Sequence, residues 1–295
     1  MRIFLFLFLL AATPVQAQYP KVLLIGIDGI RSDQLAAADT PHIDALGDEG
    51  YISLSARTRM PTVSGPGWSS MVTGVWAEKH RVMGNNFAEK RYDLYPDFLT
   101  RLEQMDSEWD TFAALDWPPL GTTNADGPLF SDLIDVKVNI NGDAMGYGVA
   151  DERVCDVSES YLASAAVDAA FVYLGNPDVA SHDEGLYSAA YKEAIETADD
   201  CVGRLVEALN RRAEAEDEDW LILISTDHGR NEGGGHGGDS EAELTIFYVA
   251  SGASAVPESG VTPHIVDVAV TALTHLGIQI LPEWSLDGRP VGISQ

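Results

Sequence analysis

Positive charge is scarce in this chain. Its 295 residues hold 18 Lys and Arg against 46 Asp and Glu, a formal net charge of −28. Such a surface repels nucleic-acid backbones and anionic membranes, so a nucleic-acid polymer is not an expected partner. It also repels anionic small molecules unless metal ions reverse the field locally. Cysteine is nearly absent: Cys155 and Cys201 leave room for one intramolecular disulfide at most. Beyond the N-terminus there is no apolar run long enough to span a membrane. Internal repeats, low-complexity tracts and Gly/Ser/Pro-rich linkers are also missing, and nothing marks a domain boundary.

What is present begins with Met1 and Arg2, an apolar run through Leu10, and small residues up to Ala17. This pattern reads as a secretory signal cleaved after Ala17. The apolar run is shorter than the ~20 residues a spanning helix needs. Residues 1–17 are therefore expected to be a leader. Residues 18–295 are expected to form a single domain, secreted or periplasmic, without membrane contact after cleavage. In an oxidising compartment Cys155 and Cys201 are expected to pair. The alternative is two buried thiols, because Cys201 falls on the apolar face of a predicted helix.

With 45% hydrophobic residues the chain can bury a substantial core. Strand-like runs alternate with helical patterns, which predicts an α/β fold: a mostly parallel central sheet with helices on both faces. Short buried strands are expected at Lys21 to Ile27, Thr111 to Leu115, Ala170 to Leu174, Trp220 to Ser225 and Glu243 to Ala250. Helices are expected at Pro66 to Thr73, Pro96 to Met105, about Tyr187 to Arg212, and Pro263 to Leu276. Tyr191, Ala194, Ile195, Ala198, Val202, Leu205, Val206 and Leu209 form an apolar stripe at helical spacing. The stretch from Asp116 to Val154 shows little periodicity and reads as an insertion over the site.

Three carboxylates follow these apolar runs: Asp28, Asp178 and Asp227. Open α/β sheets place their sites just past the strand ends. Asp178 and His182 stand four apart, so one helical turn puts both on one face. Asp227-His228-Gly229 sets a carboxylate beside an imidazole at a strand end. A Gly-rich loop then leads to His236. Such oxygen and nitrogen donors suit zinc, with manganese or iron possible. Ser64, in Pro61-Thr62-Val63-Ser64-Gly65-Pro66-Gly67, precedes a helix start that favours a bound oxyanion. Gly65 and Gly67 are expected to let the backbone approach a ligand; a plain helix cap explains the serine equally well. Of the other histidines, His42 stays open as a site residue, while His80, His264 and His275 read as structural or solvated. Trp68, Trp117 and Tyr147 are candidates to stack an aromatic leaving group, with packing as the bland alternative.

The order and spacing of these stretches resemble the alkaline phosphatase superfamily, and within it the type I phosphodiesterase/nucleotide pyrophosphatase branch. The likeness rests on Leu24-Ile-Gly-Ile-Asp28-Gly, Thr40-Pro-His-Ile-Asp44, Pro61-Thr62-Val63-Ser64, Asn176-Pro177-Asp178 with His182, Ser225-Thr226-Asp227-His228-Gly229, and Gly235-His236-Gly237. The resemblance implies two divalent metal ions, zinc foremost. One would be held by Asp178, His182 and His236. The other would be held by Asp28, Asp227 and His228, with Ser64 as a further ligand and the nucleophile. It implies cleavage of a small phosphate ester, a phosphodiester or pyrophosphate, through a phosphoserine. Family members usually carry Asn three positions after the nucleophile, where this chain has Gly67. The oxyanion donor is therefore expected from the Gly65 N–H or from the side chain of Asn85 or Asn86.

Alternatives stay open at this level. One is a phosphate monoesterase, although no arginine matches the monoester clamp. Another is a sulfatase: Ser64-Gly65-Pro66 fits the start of its maturation pattern, but Trp68 stands where arginine belongs. A third is a non-catalytic metal- or phosphate-binding protein. The oligomeric state is not legible.

Overall fold

A computed structural model describes residues 18–123, 127–212, 215–258 and 260–294. The expected leader, residues 1–17, lies outside them. Seven strands form one sheet: β1 (Tyr19–Ile27), β2 (Tyr51–Arg57), β3 (Thr111–Leu115), β4 (Val136–Asn139), β5 (Ala169–Leu174), β6 (Glu218–Ser225) and β7 (Thr245–Ser251). Their order is β2-β7-β6-β1-β5-β3-β4. The five strands β6-β1-β5-β3-β4 are parallel, and β7 pairs antiparallel with both β6 and β2. The architecture is the expected α/β fold.

The central strands are apolar on both faces because both are covered. In β1, Val22 and Leu24 pack in one layer with Trp68, Val72, Leu99, Val268 and Leu273. Leu23, Ile25 and Ile27 pack in the other with Leu162, Ile195, Val202 and Leu205. All five of those β1 side chains are fully buried. Each buried Leu or Ile contributes roughly 1.5–3 kcal/mol relative to an exposed one. A slip of one residue in β1 would exchange the two layers, so the register is strongly fixed.

The long helix Ala189–Asn210 buries the stripe read from sequence except Val206, which is half-buried, and its start is capped by Ser188, whose Oγ accepts from Tyr191 N at 3.1 Å. It carries the chain from β5 across β1 to β6. Cys155 and Cys201 are joined in a disulfide with Cα atoms 5.8 Å apart, tying this helix to the helix Tyr147–Leu162. The pairing expectation holds.

Two expectations are corrected. The stretch from Asp116 to Val154 is not a structureless insertion: it contains β4 and opens the helix Tyr147–Leu162. That helix buries Ala150, Asp151, Val154, Cys155, Ser158 and Leu162; Ala150, Asp151, Cys155 and Ser158 are small or polar, so the stripe carries little hydrophobic signal. The strand β2 was not anticipated; it is a bulged edge strand with two exposed positions, held by pairing with β7.

Candidate metal centre

The ends of β6, β1 and β5 lie side by side, and each is followed by one of the predicted carboxylates. Asp28 comes directly after β1 and Asp227 two residues after β6. Asp178 lies in the first turn of the helix Asn176–Glu184 that follows β5, with His182 one turn on. The Gly-rich loop brings His236 back to the same place. Its Nε2 lies 2.9 Å from His182 Nε2 and 3.8 Å from Asp178 Oδ1. His182 Nε2 is 3.5 Å from Asp178 Oδ2. On the other side, His228 Nε2 lies 3.2 Å from Asp227 Oδ2 and 3.8 Å from Asp28 Oδ1. Ser64, the first residue of the helix Ser64–Thr73, sets its Oγ 3.4 Å from His228 Nε2. The seven predicted residues converge.

Hydrogen bonds around the centre decide which atoms face it. Asp28 Oδ2 accepts from Tyr173 Oη at 2.6 Å and from Trp68 Nε1 at 3.0 Å. Asp227 Oδ1 accepts from Gly29 N at 3.2 Å. The remaining oxygens, Asp28 Oδ1 and Asp227 Oδ2, are buried without any donor. His228 Nδ1 lies 3.1 Å from the Gly229 carbonyl and His236 Nδ1 lies 2.8 Å from the Thr62 carbonyl. A carbonyl only accepts, so each Nδ1 carries the proton and each Nε2 presents a lone pair. Bare carboxylate oxygens and imidazole lone pairs thus point at one another, an arrangement costly without a cation between them. Two groups could hold an ion: Asp28, Asp227 and His228, all buried, and Asp178, His228 and His236. The half-exposed His182 extends the second. His228 therefore borders both.

The titration preferences agree. Burial, then the neighbouring Asp178, pushes the Asp28 carboxyl up to about 6. Burial pushes Asp178 up to about 6 against the pull of Arg230. Asp227 lies well above the carboxylate range through burial and then the charges of Asp28 and Asp178. Burial holds His228 well below the usual imidazole value and lowers His236 and His182. Neutral imidazole is the ligating form, and a divalent cation would relieve the carboxylate repulsion.

Several assignments change. Gly67 does not open the backbone to a ligand; it lets the helix Ser64–Thr73 touch Asp227, whose Cβ and carbonyl O would both lie 2.9 Å from an added Cβ. The Gly65 N–H donates to Asn85 Oδ1 at 2.7 Å, so it is engaged within the chain. That bond fixes the Asn85 amide and leaves its NH2 as the donor end. Asn86 accepts from Ala88 N in a local turn instead. His42 packs against Gly203 on the long helix and is no part of the centre. Trp68 is fully buried and serves Asp28 rather than a substrate. Sequence reading also missed Arg230, fully buried two residues after His228. The signal available was a lone cation inside a Gly-rich loop of an acid-rich chain.

The family model for type I phosphodiesterase / nucleotide pyrophosphatase matches residues 22–111 and 113–237. A second, for a domain of unknown function, matches residues 250–291. The chain is 26% identical to rat ectonucleotide pyrophosphatase/phosphodiesterase family member 3 over 234 residues, covering 72% of this chain and 25% of that protein. It spans about a quarter to a half of the length of the curated relatives it matches. Among solved structures, murine ectonucleotide pyrophosphatase/phosphodiesterase 5 superposes with TM-score 0.63 at 16% identity, over 89% of this chain and 96% of that one. A 2-O GAG sulfatase superposes with TM-score 0.69 at 14% identity, over 94% and 76%. At such identities the structural likenesses establish the fold alone.

Proposed function

Because this chain belongs to the type I phosphodiesterase/nucleotide pyrophosphatase family, we propose that it is a secreted two-metal hydrolase of small phosphate esters, acting on phosphodiester or pyrophosphate bonds with Ser64 as nucleophile. The observation that carries the reading is the pair of donorless buried oxygens, Asp28 Oδ1 and Asp227 Oδ2, set beside His228 Nε2 and the Ser64 hydroxyl.

The residues fit two divalent ions, zinc foremost: Asp28, Asp227, His228 and Ser64 for one, and Asp178, His182 and His236 for the other. Bound there, the ions would supply Lewis acidity that lowers the serine pKa and offsets charge on the attacking and leaving oxygens. The chain's own residues do the rest. The helix start places Ser64 Oγ against the centre, where its proton passes to solvent water and its oxygen attacks phosphorus. The P–O bond to the leaving group breaks, and that oxygen departs as an alkoxide or phosphate. The Asn85 amide, oriented by Gly65, donates to a non-bridging oxygen as charge builds. Water then cleaves the Ser64 phosphoester and restores the hydroxyl. Tyr173 and Trp68 hold Asp28 in its orientation throughout.

Secretion is supported by the signal-like residues 1–17 and by the Cys155–Cys201 disulfide. Among the described residues no helix is long and apolar enough to cross a membrane. The likeness to ectonucleotide pyrophosphatase/phosphodiesterases favours a nucleotide-type ester over a carbohydrate sulfate. The test is hydrolysis of bis-p-nitrophenyl phosphate beside p-nitrophenyl phosphate and p-nitrophenyl sulfate, with zinc and then with chelator. Zinc-dependent turnover highest on the diester is expected. Monoester preference would make it a phosphatase, and sulfate-only turnover would make it a sulfatase. Metal binding without turnover on any ester would favour a binding protein.

A further inference from the structure

Arg230 is among the largest fully buried side chains of the molecule. Its Nε donates to the Gly29 carbonyl at 2.8 Å, its Nη1 to the Gly234 carbonyl, and its Nη2 to the Asp178 carbonyl at 2.8 Å and to Asp178 Oδ1. These partners lie beside three of the candidate ligands: Gly29 follows Asp28, Gly234 stands two before His236, and Asp178 is itself one. A single guanidinium therefore joins the loop after β1, the Gly-rich loop and the first turn of the helix Asn176–Glu184. Its Nη2 sits on the Asp178 carboxylate, so of the candidate ligands it is Asp178 that shares its charge directly with a fixed cation.

The two halves of the centre differ in the same sense. The side chains of Asp28, Asp227 and His228 are at most 3% exposed. Those of Asp178, His182 and His236 are 17%, 46% and 11% exposed. Asp178 also shares one carboxylate oxygen with Arg230, and a carboxylate whose charge is partly offset by a guanidinium attracts a second cation less. Arginine does not lose its proton at working pH, so the competition is permanent.

We propose that Arg230 is a positioning residue that makes the two metal positions unequal: it withholds part of Asp178 and repels the adjacent cation, so the ion on Asp178, His182 and His236 is the loosely held, exchangeable one. This rests on the two-metal reading above. The buried position would stay filled and hold Ser64, while the outer one fills last and governs activation by free metal. The guanidinium meanwhile keeps the loops in place whether or not that ion is bound.

The test is a zinc titration of the metal-free protein against a chromophoric chelator. Wild type should bind two zinc ions in steps separated by more than about tenfold, a gap of about 1.4 kcal/mol. His182→Ala should lose the weaker step and keep the tighter one. Arg230→Met should tighten the weaker step at least about tenfold, since both the competitor and the repulsion are gone. Arg230→Lys keeps the charge and should leave that step within a few-fold of wild type, an outcome a purely structural role would not give. Two equal steps in wild type, loss of the tighter step in His182→Ala, or an unchanged or weakened step in a folded Arg230→Met would each overturn the proposal. If Arg230→Met does not fold, Arg230→Gln, which also removes the charge, takes its place in the same titration and carries the same expected tightening. A wild-type protein that binds no zinc would overturn the two-metal reading itself.

Discussion

Ser64 begins a helix, and its hydroxyl faces His228 rather than capping the helix: the N-cap position is Val63, which makes no side-chain cap bond. The plain-cap explanation of the serine therefore falls away. Ser64→Ala should lower kcat on the diester by on the order of 10⁴-fold or more, because the proposed nucleophile is gone. Zinc content should stay near wild type, since the six other candidate ligands remain; elemental analysis beside the assay checks both. His80 belongs to the fold instead. It is fully buried, within 3.0 Å of Ser70 Oγ, and accepts from Val82 N at Nδ1. Burial pushes it down from 6.5 to about 4. The unfolded chain therefore takes up this proton first as pH falls. His80 carries no penalty above the unfolded value and destabilises increasingly between 6.5 and 4, by up to about 3 kcal/mol. In urea denaturation at pH 7 and pH 4, the stability gap between wild type and His80→Gln should narrow by that order on acidification.

At the scale of elements, the helix Ser64–Thr73 must come within van der Waals contact of Asp227 for Ser64 to reach the centre. Gly67 permits it. In Gly67→Ala the new Cβ would press on Asp227 backbone, displacing the helix or the ligand. A cost of about 1–3 kcal/mol in stability is expected, with kcat down by about 10²-fold from the displaced serine. Steady-state kinetics beside a thermal melt would separate the two. The helix Tyr147–Leu162 presents Asp151, whose carboxylate accepts from Gly175 N at 2.9 Å and Asn176 N at 3.1 Å, at the start of the turn leading to Asp178. The disulfide fastens that helix across a separation of 46 residues. Replacing both cysteines by alanine should lower stability by about 4 kcal/mol on the chain-entropy account, read from denaturant midpoints. Sequence patterning found the long amphipathic helices and the buried strands because their periodicities are strong. It missed β2 and β4, where burial is partial, and the helix Tyr147–Leu162, whose buried face is largely small or polar.

The whole molecule carries its charge of −28 against the anionic phosphate ester proposed as its substrate. Long-range repulsion slows encounter, and salt screens it beyond about 10 Å at 0.1 M. Accordingly kcat/KM on bis-p-nitrophenyl phosphate should rise between about 10 mM and 150 mM NaCl while kcat changes little. A fall with salt would mean that the local field of the centre dominates steering instead. The chain by itself determined the sheet's central strands and the seven residues that converge at their ends. Apolar runs, a four-residue spacing and paired Asp-His chemistry are local signals that need no partner to be read. Only the tertiary structure decided which oxygen of each carboxylate is bare, that Trp68 and Tyr173 serve Asp28, that Asn85 rather than Gly65 offers a donor, and that Arg230 sits between the loops. Each of these depends on groups tens to hundreds of residues apart meeting in space, and no spacing along the chain encodes such a meeting.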